Sequence, residues 1–165
     1  VESAVVSFRW IAGPVPDGMP VRQVYGFCFD DTGRVLLRED GGRHGLPGGT
    51  PEPGESVPAT LARECHEESR ILIGEPVPIG YQEVVGDGRP PYAQLRMAAR
   101  ITEFLPREPD PDTGRTYGRL LVPPEKAPAL LDWGIEGLLQ VADAVRAAHC
   151  PDPDPAAGRS HIRRD

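Results

Sequence analysis

Apolar residues along the chain fall mostly into short β-type runs, and into helical spacing in three places. Ala4 to Ala12, with Val5, Val6, Phe8, Trp10 and Ile11 among polar residues, reads as a first strand, ended by Gly13-Pro14-Val15-Pro16-Asp17-Gly18. Val21 to Phe29 is a second and central strand; Asp30-Asp31-Thr32-Gly33 is a turn signal, and Val35-Leu36-Leu37 returns as its hairpin partner. Val77 to Val85, Tyr92 to Leu105 and Arg119 to Val122 read as further strands, with Ile79, Tyr81, Leu95, Met97, Ala99, Ile101 and Phe104 as candidates for burial.

The first helical pattern starts at Ser56, a favourable N-cap, with Pro58 in the first turn, where a missing N–H costs little. Ala59, Leu61, Ala62 and Cys65 form its apolar stripe, so a helix is predicted from Val57 to about Ile71. Glu125 to Leu131 predicts a short helix, and Ile135 to His149 an amphipathic one with Leu138, Leu139, Val141, Ala142 and Val145 inward. This order predicts the α/β class, a mixed sheet with helices on both faces, in a single domain over 1–150. From Pro151 the composition turns to Pro, Asp, Gly and then Arg, which predicts a flexible tail over 151–165.

Composition narrows the function classes. An apolar fraction of 39% with 26% charged residues is that of a soluble globular protein. A net charge of −7 argues against binding an extended nucleic acid, which needs clustered Lys and Arg, but leaves room for a small phosphorylated ligand held through metal. Cys28, Cys65 and Cys150 lack metal-type spacing and are odd in number, so a reduced, cytoplasmic setting is expected. Arg9 interrupts the first apolar run and no run approaches the roughly 20 residues of a membrane span, so neither a leader nor a membrane segment is expected.

The chemistry concentrates in Gly49 to Ile71. Glu64, Glu67 and Glu68 stand at i, i+3 and i+4 of the predicted helix and share one face. Three like charges there repel one another unless a hard divalent cation, Mg²⁺ or Mn²⁺, sits among their oxygens. Leu46-Pro47-Gly48-Gly49 precedes the helix, and its glycines allow backbone to approach a ligand or metal. An ordinary solvated Glu-rich face, with Arg63 and Glu67 as an i, i+4 pair, is the alternative.

Gly49, Glu55, Arg63, Glu64, Glu67, Glu68 and Ile71 resemble the signature of the Nudix hydrolases, G-x5-E-x7-R-E-U-x-E-E-x-G-U with U bulky and aliphatic. Cys65 and Arg70 depart from it, at the first U and at the second glycine. The resemblance implies a Nudix-type α/β/α sandwich and a pyrophosphohydrolase. It further implies Mg²⁺ (or Mn²⁺) on Glu64, Glu67, Glu68 and the Gly48 carbonyl, with catalytic roles for Glu64 and Glu67. Arg63 would orient Glu55 and its neighbours by bidentate hydrogen bonds. The general base would be Glu64 or an acidic residue of the loop from Glu108 to Asp112. At Arg70, either a side chain occupies a backbone position suited to glycine, at about 1 kcal/mol, or the helix runs on to Ile73 and Gly74 caps it.

The substrate is less well specified. His44, Tyr92, Arg96, Asp112 and Arg119 are candidates to bind it, with Tyr117 and Trp133 as further stacking candidates; each is equally readable as packing or surface. The expected ligand is a small phosphorylated compound, a nucleoside triphosphate or a nucleoside diphosphate joined to another group. A non-hydrolytic Nudix binding or sensing module is the competing reading, and a homodimer formed through the N-terminal strand is a further possibility.

Overall fold

The computed structural model describes residues 5–148 and 163–165. The strands are β1 (Ser7–Ala12), β2 (Val21–Phe29), β3 (Val35–Asp40), β4 (Arg43–Gly45), β5 (Gly48–Gly49), β6 (Ile71–Ile73), β7 (Val77–Val85), β8 (Tyr92–Phe104), β9 (Gly118–Val122) and β10 (Arg163–Arg164). The helices are α1 (Val57–Glu64), running directly into a π-helical turn (Cys65–Ser69), then α2 (Ala127–Leu131) after a 3₁₀ turn, and α3 (Gly134–Ala148). The sheet order is β1-β7-β8-β2-β3-β9-β10, with β4 on β3, β5 on β2 and β6 on β8. The central β2–β8 pair is parallel and its neighbours are antiparallel, so the sheet is mixed.

Strand alternation sends successive side chains to opposite faces, and here both faces are covered. Val24, Cys28, Leu36, Leu95 and Met97 meet Leu61 and Cys65 of the first helical segment. Phe27, Phe29, Leu37, Ala98 and Leu120 meet Ala127, Leu131, Val141 and Ala144 of α2 and α3. Burying each large side chain contributes about 1.5–3 kcal/mol, and two such layers hold the sheet between helices as an α/β/α sandwich.

Two expectations are corrected. The first helix does not continue to Ile71: the α-helix ends at Glu64, the next turn is π-helical, and Arg70 caps it in the left-handed region at φ 52°, its N–H bonded to the Cys65 carbonyl. Arg70 thus adopts the conformation suited to glycine, and Gly74 caps nothing. The arginine is held there by its Nε donating to the Pro106 carbonyl at 3.2 Å and by an ion pair with Glu108 at 3.4 Å, while its own carbonyl accepts from Leu105 N at 2.8 Å.

The second correction concerns α3. Its buried residues are Gly137, Gln140, Val141 and Ala144, whereas Leu138 and Leu139 are about half exposed, at 52% and 46%. Ala142 also faces out. The inward face is chosen by a polar partner of Gln140, described below, rather than by the largest apolar stripe.

β1 is an edge strand, yet the Trp10 backbone N–H donates to Glu136 Oε2 at 2.8 Å and the Trp10 indole N–H to Asp143 Oδ2 at 2.8 Å. Glu136 thereby occupies a donor that strand addition by a second chain would need. Of the segment expected as a tail, 151–162 lies outside the described residues, as do His149 and Cys150; Arg163 and Arg164 pair with Leu121 and Leu120 of β9. No helix among the described residues is long and apolar enough to cross a membrane.

Candidate active site

The Leu46–Gly49 segment lies beside β2, where Gly48 and Gly49 pair with Tyr25 and Val24. Gly48 is sterically required, and Gly49 leaves the space that the Glu64 carboxylate fills. A β-carbon on Gly48 would sit 2.1 Å from the Val24 carbonyl oxygen, and one on Gly49 would sit 2.3 Å from Glu64 Oε1. The loop therefore admits the Glu64 carboxylate against bare backbone. Ser56 caps α1 as expected, accepting from Ala59 N at 3.3 Å.

Arg63 organises the acidic side chains. Its Nε donates to Glu55 Oε2 at 2.8 Å and its Nη2 to Glu55 Oε1 at 3.1 Å, a two-point fork on one carboxylate. Nη1 donates to Glu64 Oε1 at 3.0 Å and to Glu67 Oε2 at 3.2 Å, and Nη2 reaches the Thr50 carbonyl at 3.1 Å. Thr60 Oγ1 adds a 2.6 Å bond to Glu55 Oε1. These bonds, the Arg63 fork foremost, lower the Glu55 carboxyl to about 2 and raise Arg63.

Glu68 is only 5% exposed. Its Oε1 accepts from Gly48 N at 3.3 Å, and Oε2 pairs with the Arg38 guanidinium. Burial pushes the Glu68 carboxyl up to about 8 against the pull of Arg38, aided by a hydrogen bond and charge from Glu64. Burial also raises Glu67, with Arg63 opposing. The π-helical turn sets this arrangement, because its wider spacing carries Glu67 and Glu68 away from the strict i, i+3, i+4 face of an α-helix.

A cavity of about 330 Å³ adjoins the acidic group, lined by Phe8, Tyr25, Arg38, Leu46, Gln82, Gln94, Arg96 and Trp133, with Gly45. Arg38 belongs to both places. Its guanidinium lies 4.7 Å from the Tyr117 ring centre and bonds Glu68.

The candidate binding residues divide. Arg96 lines the cavity; it is 2% exposed, its guanidinium lying 4.9 Å from the Tyr25 ring centre and 5.2 Å from that of Trp133. Asp112 lies near enough to Glu67 for its charge to raise that carboxyl. Asp110 of the same loop is spent on turn geometry, accepting from the backbone of Asp112 and Thr113.

His44 is outside the cavity wall and is not solvent-facing, since its Nε2 is 2.9 Å from Glu39 Oε2 and its side chain is 12% exposed. Tyr92 is also outside that wall: it is buried at the start of β8 beneath Arg22 and Arg89, with its hydroxyl on Asp87. Arg119 fastens chain segments instead, its Nη1 donating to the carbonyls of Leu105 at 2.7 Å and Arg70 at 3.2 Å and its Nη2 to Asp165 at 2.9 Å.

Arg38, Gln82, Gln94 and Leu46 in the wall escaped sequence reasoning as binding residues. Only Gln94 carried a signal, as a polar residue at a strand position flanked by apolar Ala93 and Leu95.

The sequence matches the family model described as the NUDIX domain over residues 19–139. A search of curated proteins found no match. Among solved structures, the chain is similar to a NUDIX hydrolase from Nitrosomonas europaea (22% identity, TM-score 0.55, 86% of this chain and 97% of that one). It is also similar to the Bacillus subtilis pyrophosphohydrolase BsRppH (20% identity, TM-score 0.54, 61% of this chain), of which it spans 63%. A third similarity is to a UDP-X diphosphatase (13% identity, TM-score 0.60, 81% and 66%). At these identities the structures speak for the fold alone. The family model, by contrast, covers most of the sequence, including the whole of the glycine, glutamate and arginine pattern just described; the chain belongs to the NUDIX family.

Proposed function

We propose that the protein is a divalent-metal-dependent hydrolase that cleaves the diphosphate linkage of a nucleoside diphosphate joined to another group, by attack of water at phosphorus. The carrying observation is that Glu64, Glu67 and Glu68 are gathered at one helix end, beside glycine backbone and braced by Arg63. The names pyrophosphohydrolase and UDP-X diphosphatase borne by solved relatives agree with this reading.

The residues fit a hard cation. Glu68 is buried beside the Glu64 carboxylate and its carboxyl is held up to about 8, chiefly by burial, so a cation placed among these oxygens would relieve the cost of charging it. An oxygen-only set of this kind suits Mg²⁺ or Mn²⁺. No three acidic, His or Cys groups among the described residues already form a metal cage, because Arg63 and Arg38 occupy the same carboxylates. Glu64, Glu67, Glu68 and the Gly48 carbonyl would hold the ion, which when bound supplies charge neutralisation at the diphosphate and a more acidic water.

The remaining roles belong to the chain itself. Arg63 and Glu55 fix the rotamers of Glu64 and Glu67, since a fork bound at two points restrains both partners. Arg38 places a cation between the acidic group and the cavity, where a phosphate oxygen would pass. Glu64 takes the proton of the attacking water, with Asp112 as the other carboxylate at hand.

Purified protein with Mg²⁺ or Mn²⁺ is expected to hydrolyse at least one member of a broad panel of nucleoside diphosphate derivatives and nucleoside triphosphates. Glu67→Gln is expected to lower turnover by about 10²–10⁴ with the fold intact by circular dichroism. Absence of hydrolysis across the panel with either metal would leave a binding module as the better reading.

A further inference from the structure

The cavity beside the acidic group has a polar wall whose hydrogen-bonding sense is fixed. Arg96 can only donate. Its Nε donates to Gln140 Oε1 at 2.9 Å, its Nη2 to Gln82 Oε1 at 2.7 Å and its Nη1, weakly, to the Gln94 carbonyl at 3.4 Å. Because Arg96 requires the Gln82 oxygen, the Gln82 amide must present its NH₂ elsewhere, and no partner takes it among the described residues. Five guanidinium N–H groups with three bonds leave one on each terminal nitrogen. Gln94 gives its NH₂ to Gln23 Oε1 at 2.6 Å and keeps its side-chain oxygen.

No carboxylate pairs with Arg96 among the described residues, although it is 2% exposed and lowered only to about 10 by burial, so it remains a cation at neutral pH. Tyr25 and Trp133 lie against the guanidinium, which directs its remaining donors edgewise. Phe8 and Leu46 complete an apolar lining sized for a ring system.

We propose that this cavity receives the base of the nucleotide and selects bases carrying a ring carbonyl next to a ring N–H, as in guanine, hypoxanthine and uracil, over bases carrying an amino group there. This rests on the nucleotide hydrolase reading above and names its substrate class. A keto base offers an acceptor to Arg96 and Gln82 and a donor to the Gln94 oxygen. Adenine or cytosine offers an NH₂ to the same two donors, leaving buried donors facing one another, and a site built around hydrogen bonds rejects such a ligand strongly. A well-made pair of hydrogen bonds to one base edge discriminates between bases by about five- to hundredfold.

The test has two arms. In the first, wild-type protein without metal is titrated calorimetrically with GMP, IMP, UMP, AMP and CMP, so that binding is read without hydrolysis. GMP, IMP and UMP are expected to bind at least about fivefold more tightly than AMP and CMP; equal affinities, or a preference for AMP, would overturn the proposal. In the second arm the series is repeated with Arg96→Met and with Gln82→Glu. The latter keeps the size and adds a counter-charge to Arg96, which secures a folded variant if Arg96→Met fails to fold. Gln82→Glu is expected to erase the preference, and retention of the full preference would overturn the proposal. A selective metal-free titration alongside an inactive enzyme would refute the hydrolase reading and leave the base selectivity standing, so the two failures are distinguishable.

Discussion

Arg63 holds Glu55 at two points, Nε to Oε2 at 2.8 Å and Nη2 to Oε1 at 3.1 Å, and reaches Glu64 and Glu67 with its third nitrogen. One guanidinium thus sets the positions of three carboxylates. Lysine is a point charge and cannot reproduce the fork. Arg63→Lys is therefore expected to reduce kcat/KM by about 10–100-fold, as measured by steady-state kinetics, and to lower the melting temperature at neutral pH as the fork's hold on Glu55 is lost.

Glu55 also makes an acid-stability prediction. Its folded carboxyl lies at about 2, against 4.5 for the free group, because of the Arg63 fork. A lowered carboxyl contributes stability that is fully present above 4.5 and is lost as pH falls through about 2. Melting temperature measured from pH 5 down to 2 should fall more steeply for the wild type than for Glu55→Gln. Parallel curves would show that the fork is absent in solution.

Glu68 carries the opposite sign. Its folded carboxyl is raised from 4.5 to about 8, so its contribution to stability is present below 4.5 and is lost as pH rises through about 8. Metal-free protein should melt at progressively lower temperature between pH 5 and 8, and Glu68→Gln should flatten that slope. Millimolar Mn²⁺ should raise the melting temperature more at pH 8 than at pH 6, since a metal binds Glu68 only in its deprotonated form.

Arg70 allows a backbone test free of side-chain confusion. Arg70→Ala and Arg70→Gly both lose the contacts to Pro106 and Glu108, and differ by one β-carbon in a left-handed residue at φ 52°. Chemical denaturation is expected to find the glycine variant more stable than the alanine variant by about 1 kcal/mol. Equal stabilities would mean that the π-helical turn does not impose this conformation.

The strands were readable because their apolar alternation is strong: β2 (Val21–Phe29) and β7 (Val77–Val85) have the bounds expected from it. The α/β/α layering was equally legible, as was the grouping of Arg63 with Glu55, Glu64 and Glu67, since the signature fixes their spacing. The π-helical turn was not, because no local residue preference marks it and Arg70 carries no glycine's warning.

The cavity was hidden by a specific ambiguity. In β8, Leu95 and Met97 face one core while Gln94, Arg96 and Ala98 face the other side, and an alternating polar position ordinarily reads as solvent. Here α3 covers that side and lends Gln140 to Arg96, which also explains why α3 turns Gln140 inward and leaves Leu138 outward. His44, Tyr92 and Arg119 failed as cavity residues for the converse reason. Each is engaged elsewhere, His44 by Glu39, Tyr92 by Asp87 with two arginines, and the terminal nitrogens of Arg119 by two carbonyls and Asp165.

The central claim is that water attacks phosphorus at the Glu64, Glu67 and Glu68 group with a divalent metal bound. Its most direct test is turnover in ¹⁸O-labelled water with Mg²⁺ or Mn²⁺, with both products analysed by mass spectrometry. The account predicts one ¹⁸O atom in a single phosphate-containing product, formed by the wild type, suppressed by chelator and reduced at least about a hundredfold in Glu67→Gln. Products that carry no label, or label incorporation that continues undiminished with chelator or in Glu67→Gln, would contradict it.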